Sequence, residues 1–144
     1  MNPGPPACCC LEPAGSASRN AEKAQAVAEE IAARFPAVEV AVGYPDSEVE
    51  IVLNATSLGL KTEDPLPFDP QQFSLHQTDG VYDMIYRPAE TPLLQAAKAA
   101  DRRTANGLGM LLHQGAAALE LWTGVPVPVA TMRRALEAEI YGRA

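Results

Sequence analysis

The stretch from Val49 to Gly59, V-E-I-V-L-N-A-T-S-L-G, decides the fold of this 144-residue sequence. Its first part, rich in β-branched residues, reads as a short strand. It runs directly into Asn54, Ala55, Thr56, Ser57, Leu58 and Gly59. In α/β sheets, loops at the carboxyl ends of strands present ligands. Asn and Thr side chains there can hydrogen-bond a ligand, and Gly59 permits close backbone approach. A polar turn after a buried strand accounts for the same residues, so both readings stand at this point.

Upstream, Val38 to Val42 (V-E-V-A-V) alternates as a second short strand, with an edge as the natural place for so brief a run. Before it, Asn20 is a candidate N-cap, and Ala24, Val27, Ala28, Ile31 and Phe35 follow at helical spacing until Pro36. Residues 1 to 16 are punctuated by Pro3, Pro5, Pro6 and Pro13 and predict an irregular segment, leaving 17 to 144 as one domain.

Downstream, a loop marked by Pro65, Pro67 and Pro70 leads to a third strand, Val81 to Tyr86, on which alternation puts Tyr82 and Tyr86 on one face and Asp83 on the other. Thr91-Pro92 opens a helix, with the hydroxyl as cap and Pro at the first helical position. Arg102 to Ala105 predicts a fourth strand. A helix from about Gly107 to Leu121 ends before Gly124 and Pro126, and a last one presents Val129, Met132, Leu136 and Ile140.

Strands alternating with helices predict an α/β fold, an incomplete Rossmann-like parallel sheet flanked by helices. It is incomplete because no G-x-G-x-x-G occurs, and no strand with a glycine turn precedes the first helix. First strand and glycine-rich turn are both expected to be missing.

Hydrophobic residues at 47% argue for a packed domain, and a net charge of -7 speaks against non-specific nucleic-acid binding. No run is long and apolar enough to cross a bilayer, and the N-terminus lacks the pattern of a secretory signal. Cys8, Cys9 and Cys10 are adjacent and cannot form a spaced disulfide framework or a closed zinc site. A cytoplasmic location is expected, with no membrane partner and no metal.

Individual side chains are ambiguous. Tyr82 and Tyr86 suit either substrate contact or the core. Gln114 can donate to and accept from a polyhydroxylated ligand. His113 and His76 have no second ligand at metal spacing. Arg19, beside a helix start, can meet an anion or remain solvated. Glu29, Glu30, Glu137 and Glu139 read as solvated helix faces.

Taken together, the segments resemble shikimate dehydrogenase from about Ala17 to the C-terminus. The resemblance is carried by S-R-N-A-E-K-A (Ser18 to Ala24), N-A-T-S-L-G (Asn54 to Gly59), V-Y-D-M-I-Y-R-P-A-E-T-P-L-L (Val81 to Leu94), N-G-L-G-M-L-L-H-Q-G-A (Asn106 to Ala116) and W-T-G (Trp122 to Gly124). It implies an enzyme of chorismate and aromatic amino-acid biosynthesis that reduces 3-dehydroshikimate to shikimate with NADPH. Arg19 would meet the 2'-phosphate of NADP, flanked by Ser18 and Asn20. Asn54, Ala55 and Thr56 would line the cofactor beside the nicotinamide, with Gly107 and Met110 near that end. Tyr86 and Gln114 would contact shikimate or 3-dehydroshikimate.

The same resemblance implies a deficit. The family's proton-transferring Lys and Asp belong to an N-terminal substrate domain without a counterpart here, so no catalytic residue is assigned. Lys61 and Lys98 are not substitutes. The expectation is a fragment inactive alone, with a missing N-terminal half as its partner. An NAD-preferring quinate/shikimate dehydrogenase fragment and a non-catalytic remnant or interaction module are the alternatives. In the strand order 3-2-1-4-5-6, V-E-V-A-V, V-E-I-V-L and V-Y-D-M-I-Y take places 3, 4 and 5. The centre of the sheet is therefore expected to be open, unless residues 7 to 18 form a makeshift strand.

Overall fold

The computed structural model describes residues 7–10 and 17–142, with side chains from residue 22 onward. Strand β1 (Ala7–Cys10) is followed by helix α1 (Ala17–Arg34), β2 (Glu39–Val42), β3 (Val49–Asn54), a 3-10 turn at Leu75–Gln77, β4 (Thr78–Asp83), α2 (Pro92–Ala99), β5 (Arg103–Asn106), α3 (Leu108–Thr123) and α4 (Val129–Tyr141). All strand pairings are parallel, in two separate sheets: β1 with β2, and β3-β4-β5. This is a partial Rossmann-like sheet flanked by helices. The break between the sheets falls beside β3, where the sequence leaves its central gap.

Three expectations shift. A strand stands at Ala7–Cys10, inside the segment expected to be irregular, and it is held by register pairing of Ala7 with Glu39 through Cys10 with Val42. Helix α1 begins at Ala17, three residues before the expected cap at Asn20; Ala17 and Ala21 are strong helix formers that favour such an extension. Strand β4 covers Thr78–Asp83, so Tyr86 lies beyond its end and does not share a strand face with Tyr82. The cause is local. Ser74 and Gln77 form a reciprocal capping box around the 3-10 turn, which delivers the chain into β4 at Thr78. At the other end, the Asp83 carboxylate accepts from the Ile85 amide at 3.0 Å and turns the backbone out of the ladder.

The core lies on one face of β3-β4-β5. Val52 and Val81 pack with Leu93, Leu94 and Ala97 of α2, and with Phe68, Phe73 and Leu75 from the loop after β3. Phe68 and Phe73 meet edge to face at 5.3 Å between ring centroids. The Thr91 hydroxyl accepts from the Leu94 amide, so the Thr91-Pro92 opening of α2 works as the sequence implies. Tyr44 packs against this cluster, and its hydroxyl accepts from the Asp69 amide at 2.8 Å.

The α1 stripe is less well covered. Ala28 is buried, but Val27 and Phe35 are largely exposed. Among the described residues, no helix is long and apolar enough to cross a membrane.

Candidate functional site

The carboxyl ends of the three parallel strands terminate in a row of polar residues. Asn54, Asp83 and Asn106 occupy adjoining register positions on β3, β4 and β5. Asn54 and Asp83 are buried, and a buried amide or carboxylate needs partners. Asn54 Nδ2 donates to Asp83 Oδ1 at 3.0 Å and to the Leu58 carbonyl at 3.0 Å. The remaining Asp83 oxygen accepts from the Thr91 hydroxyl at 2.6 Å. One buried carboxylate therefore ties β3, the turn after β4 and the start of α2 together.

Asn54 also shapes the loop that follows it. Its Oδ1 accepts from the Thr56 amide at 3.0 Å and the Thr56 hydroxyl at 2.8 Å, and Thr56 Oγ1 in turn accepts from the Leu58 amide at 3.1 Å. Beyond, Gly59 has φ +111°, a conformation open to glycine, and a Cβ there would lie 3.2 Å from Thr91 Cβ. The close contact made at Gly59 is with Thr91, within the fold. Asp64 closes the loop: one oxygen accepts from the Gly59 and Lys61 amides, both at 3.0 Å. The Lys61 and Gly59 amides, in that order of effect, hold its carboxyl below the ordinary carboxylate value.

Between this loop and the turn after β4 opens a cleft of about 320 Å³, lined by Ala55, Thr56, Ser57, Leu60, Met84, Ile85, Tyr86 and Arg87. That volume is near the lower end for ligand pockets. Among the described residues of the lining, Arg87 is the one charged side chain.

The turn after β4 is braced from behind. Gly107 donates its amide to the Ile85 carbonyl at 3.1 Å, and a Cβ on Gly107 would sit 1.9 Å from the Met84 carbonyl oxygen. Only glycine fits there. Tyr141, near the end of α4, donates to the Tyr86 carbonyl at 2.9 Å and accepts from Asn106 Nδ2 at 3.0 Å.

Of the residues singled out by sequence, Ala55, Thr56 and Tyr86 meet in the cleft, with Asn54 directly beneath as their organiser. Gly107 touches the cleft wall through Met84. Met110 and Gln114 lie on α3 outside the lining, and Gln114 is exposed. Ser18, Arg19 and Asn20 belong to the first turn of α1, whereas the sequence put Arg19 just ahead of the helix; their side chains lie outside the described residues.

Sequence reasoning missed Asp83 as a hub and the bond it receives from the Thr91 cap, along with the roles of Asn106 and Tyr141. The signal for Asp83 was present. A carboxylate on a strand otherwise made for burial requires donors, and Asn54 ends the neighbouring strand. Tyr141 had none, because its partners stand 35 and 55 residues away in the chain.

An incomplete parallel sheet with helices around it and an open cleft at its carboxyl edge defines a Rossmann-like α/β protein. Residues 107–137 match the Shikimate 5'-dehydrogenase C-terminal domain. The sequence is 40% identical over 133 residues to an NADP+ shikimate dehydrogenase of Halobacterium salinarum, an alignment covering 90% of this chain and 49% of that protein. A solved shikimate dehydrogenase in complex with NADP+ superposes with a TM-score of 0.69 at 35% identity, covering 85% of this chain and 45% of that one. Quinate dehydrogenase from Corynebacterium glutamicum, solved with NAD, gives a TM-score of 0.67 at 26% identity, over 92% of this chain and 55% of that one. The chain matches the shikimate dehydrogenase family in its C-terminal, NADP-binding region. It spans about half the length of the curated relatives it matches.

Proposed function

We infer that this chain supplies the NADP-binding part of a shikimate dehydrogenase, which reduces 3-dehydroshikimate to shikimate with NADPH. The observation that carries the reading is the cleft at the carboxyl ends of β3 and β4, where Asn54 orients Thr56 opposite Tyr86. Its lining fits the nicotinamide end of the cofactor. Apolar Ala55, Met84 and Ile85 offer surface to a flat ring, and Thr56 and Ser57 offer hydroxyls at its edge. No G-x-G-x-x-G is available to cradle the pyrophosphate, so that end relies on contacts elsewhere, Ser18, Arg19 and Asn20 being the candidates.

The cofactor supplies the hydride when bound. The residues of this chain bind and orient: Asn54 fixes the loop, Tyr86 faces the substrate side, and Arg87 favours an anionic group at the cleft. Gln114 reaches the substrate only as part of a completed site. Proton transfer needs a group within about 3 Å of the reacting oxygen. Among the described residues the lining holds no carboxylate, lysine or histidine, and under this reading that group comes from the substrate-binding part of the enzyme. The 144-residue chain is then inactive by itself.

An NAD-preferring quinate/shikimate dehydrogenase is the second reading, favoured by the structural likeness to an NAD-bound quinate dehydrogenase. Titrating the chain with NADP+ and NAD+ at one fixed ionic strength separates the two. Tighter NADP+ binding supports the first reading, equal or tighter NAD+ binding supports the second, and binding of neither leaves a non-catalytic module in possession.

A further inference from the structure

Asparagines stand at Asn2, Asn20, Asn54 and Asn106, and only Asn106 is followed by glycine. Asparagine is a chemically labile side chain. A following glycine adds to this, because it has no side chain to hinder its amide nitrogen and its backbone turns freely. Replacing that glycine is not open to this fold, since a Cβ on Gly107 would lie 1.9 Å from the Met84 carbonyl oxygen. The labile pair is therefore built in behind the cleft wall, and the structure restrains both of its reacting groups. Asn106 Nδ2 donates to the Ala89 carbonyl at 2.9 Å and to the Tyr141 hydroxyl at 3.0 Å, while its Oδ1 accepts from the Leu108 amide at 3.1 Å. The Gly107 amide donates to the Ile85 carbonyl at 3.1 Å. The weakest of these restraints comes through Tyr141, which arrives on α4, a helix with no buried residue. Elements with so few buried contacts open locally at little free-energy cost.

We propose that Asn106 is a site of spontaneous deamidation gated by Tyr141, and that the modified residue unlatches α4 from the turn carrying Tyr86. When α4 lifts, the Asn106 carboxamide loses its bond to Tyr141. The Gly107 nitrogen, giving up its proton, attacks the Asn106 side-chain carbonyl carbon. The new C–N bond closes a succinimide ring, the bond from that carbon to Nδ2 breaks, and ammonia leaves with the proton. Water then opens the ring at one carbonyl or the other and leaves Asp or isoaspartate at position 106. A carboxylate there still accepts from the Leu108 amide but has no N–H for the Ala89 carbonyl or the Tyr141 oxygen. The Tyr141 hydroxyl has one proton to give and spends it on the Tyr86 carbonyl at 2.9 Å. Bonding the new carboxylate releases Tyr86, and keeping Tyr86 leaves two oxygens facing each other without a proton. Isoaspartate also lengthens the backbone between β5 and α3. The change is one-way, and it loosens the cleft wall at Tyr86.

The test incubates the 144-residue chain in mildly alkaline buffer without dinucleotide and follows it by peptide mass mapping. In urea, Asn106 is expected to deamidate faster than Asn20 or Asn54. Folding is expected to slow the Asn106 reaction by about tenfold or more. Tyr141→Phe is expected to speed the folded-state reaction about fivefold, the equivalent of one neutral hydrogen bond, and to change nothing in urea. Thr123→Val is the control, because it removes a hydroxyl bond to the Leu119 carbonyl at the far end of α3 and should leave the Asn106 rate alone. Asn106→Asp carries the modified side chain from the start, and hydrogen exchange across residues 129–141 should rise about fivefold. Should circular dichroism show Tyr141→Phe unfolded, the Asn106→Asp exchange decides. The proposal is overturned if Asn106 is no more reactive in urea than Asn20 and Asn54, or reacts equally fast folded and unfolded. It is also overturned if Tyr141→Phe matches the parent or the control, or if exchange in Asn106→Asp is unchanged. Since no cofactor is present, failure here is distinct from failure to bind NADP+.

Discussion

Asn54 Nδ2 donates to Asp83 Oδ1 at 3.0 Å across neighbouring parallel strands, and the same Asn54 orders Thr56 in the cleft. The geometry of the cleft loop and the stability of the fold therefore share one buried contact. Asp83 is 0% exposed and accepts from Asn54, Ile85 and Thr91. Asp83→Ala is expected to destabilise the chain by about 3 kcal/mol, since it strands buried donors on three segments. Urea denaturation measures this; a loss within about 0.5 kcal/mol, the range of ordinary surface changes, contradicts the hub.

Gly107→Ala tests the close approach of the α3 N-cap to the turn after β4. The added methyl would overlap the Met84 carbonyl oxygen, which is backbone and cannot swing away as a flexible side chain would. The expected cost is about 3 kcal/mol, at the upper end for overpacking. The displacement should also disturb the cleft wall at Met84. Gly109→Ala is the control, because a Cβ there meets nothing within 4 Å. Equal stability of the two variants would refute the steric account.

These two residues show how far the sequence could be read. The strand from Val49 into N-A-T-S-L-G was legible because alternation and the polar loop are local features. The Thr91-Pro92 opening was legible for the same reason. Tyr86 was misplaced because strand alternation was carried past Asp83, whose side chain ends the strand through a contact periodicity does not show. Asn106 and Tyr141 were illegible as partners, since the bond between them depends on where α4 packs. The N-terminal contrast is different: prolines at 3, 5, 6 and 13 flank Ala7–Cys10 without entering it, so a short strand fits between them.

Acid should act on the loop through Asp64. Its folded carboxyl titrates below the ordinary value because the Lys61 and Gly59 amides favour the charged form. Its contribution is therefore present above the unfolded value, about 3.9, and is lost as pH falls through the lower folded value. Asp64→Asn should be less stable than the parent at pH 6, and the gap should narrow as pH drops from about 5 towards 3. Parallel stability curves over that window, from denaturation at a series of pH values, would remove Asp64 from this role.

The substrate side is testable once the chain is paired with a part that restores turnover. Gln114 is exposed on α3 and outside the cleft proposed for the nicotinamide end, and under that proposal its amide meets substrate hydroxyls. A hydrogen bond of this kind between neutral groups contributes about 1 kcal/mol, which corresponds to roughly a fivefold change. Gln114→Ala should raise KM for shikimate by about that factor while the Kd for NADP+ stays within twofold or so of the parent. Thr56→Val should do the opposite, because it removes the hydroxyl that both bonds Asn54 and edges the cleft. If both variants lose shikimate and NADP+ in equal proportion, the two sides of the site are not separable and the changes act through folding. If Gln114→Ala alone leaves shikimate kinetics untouched, the substrate does not reach α3, and Tyr86 is left as the contact on this chain.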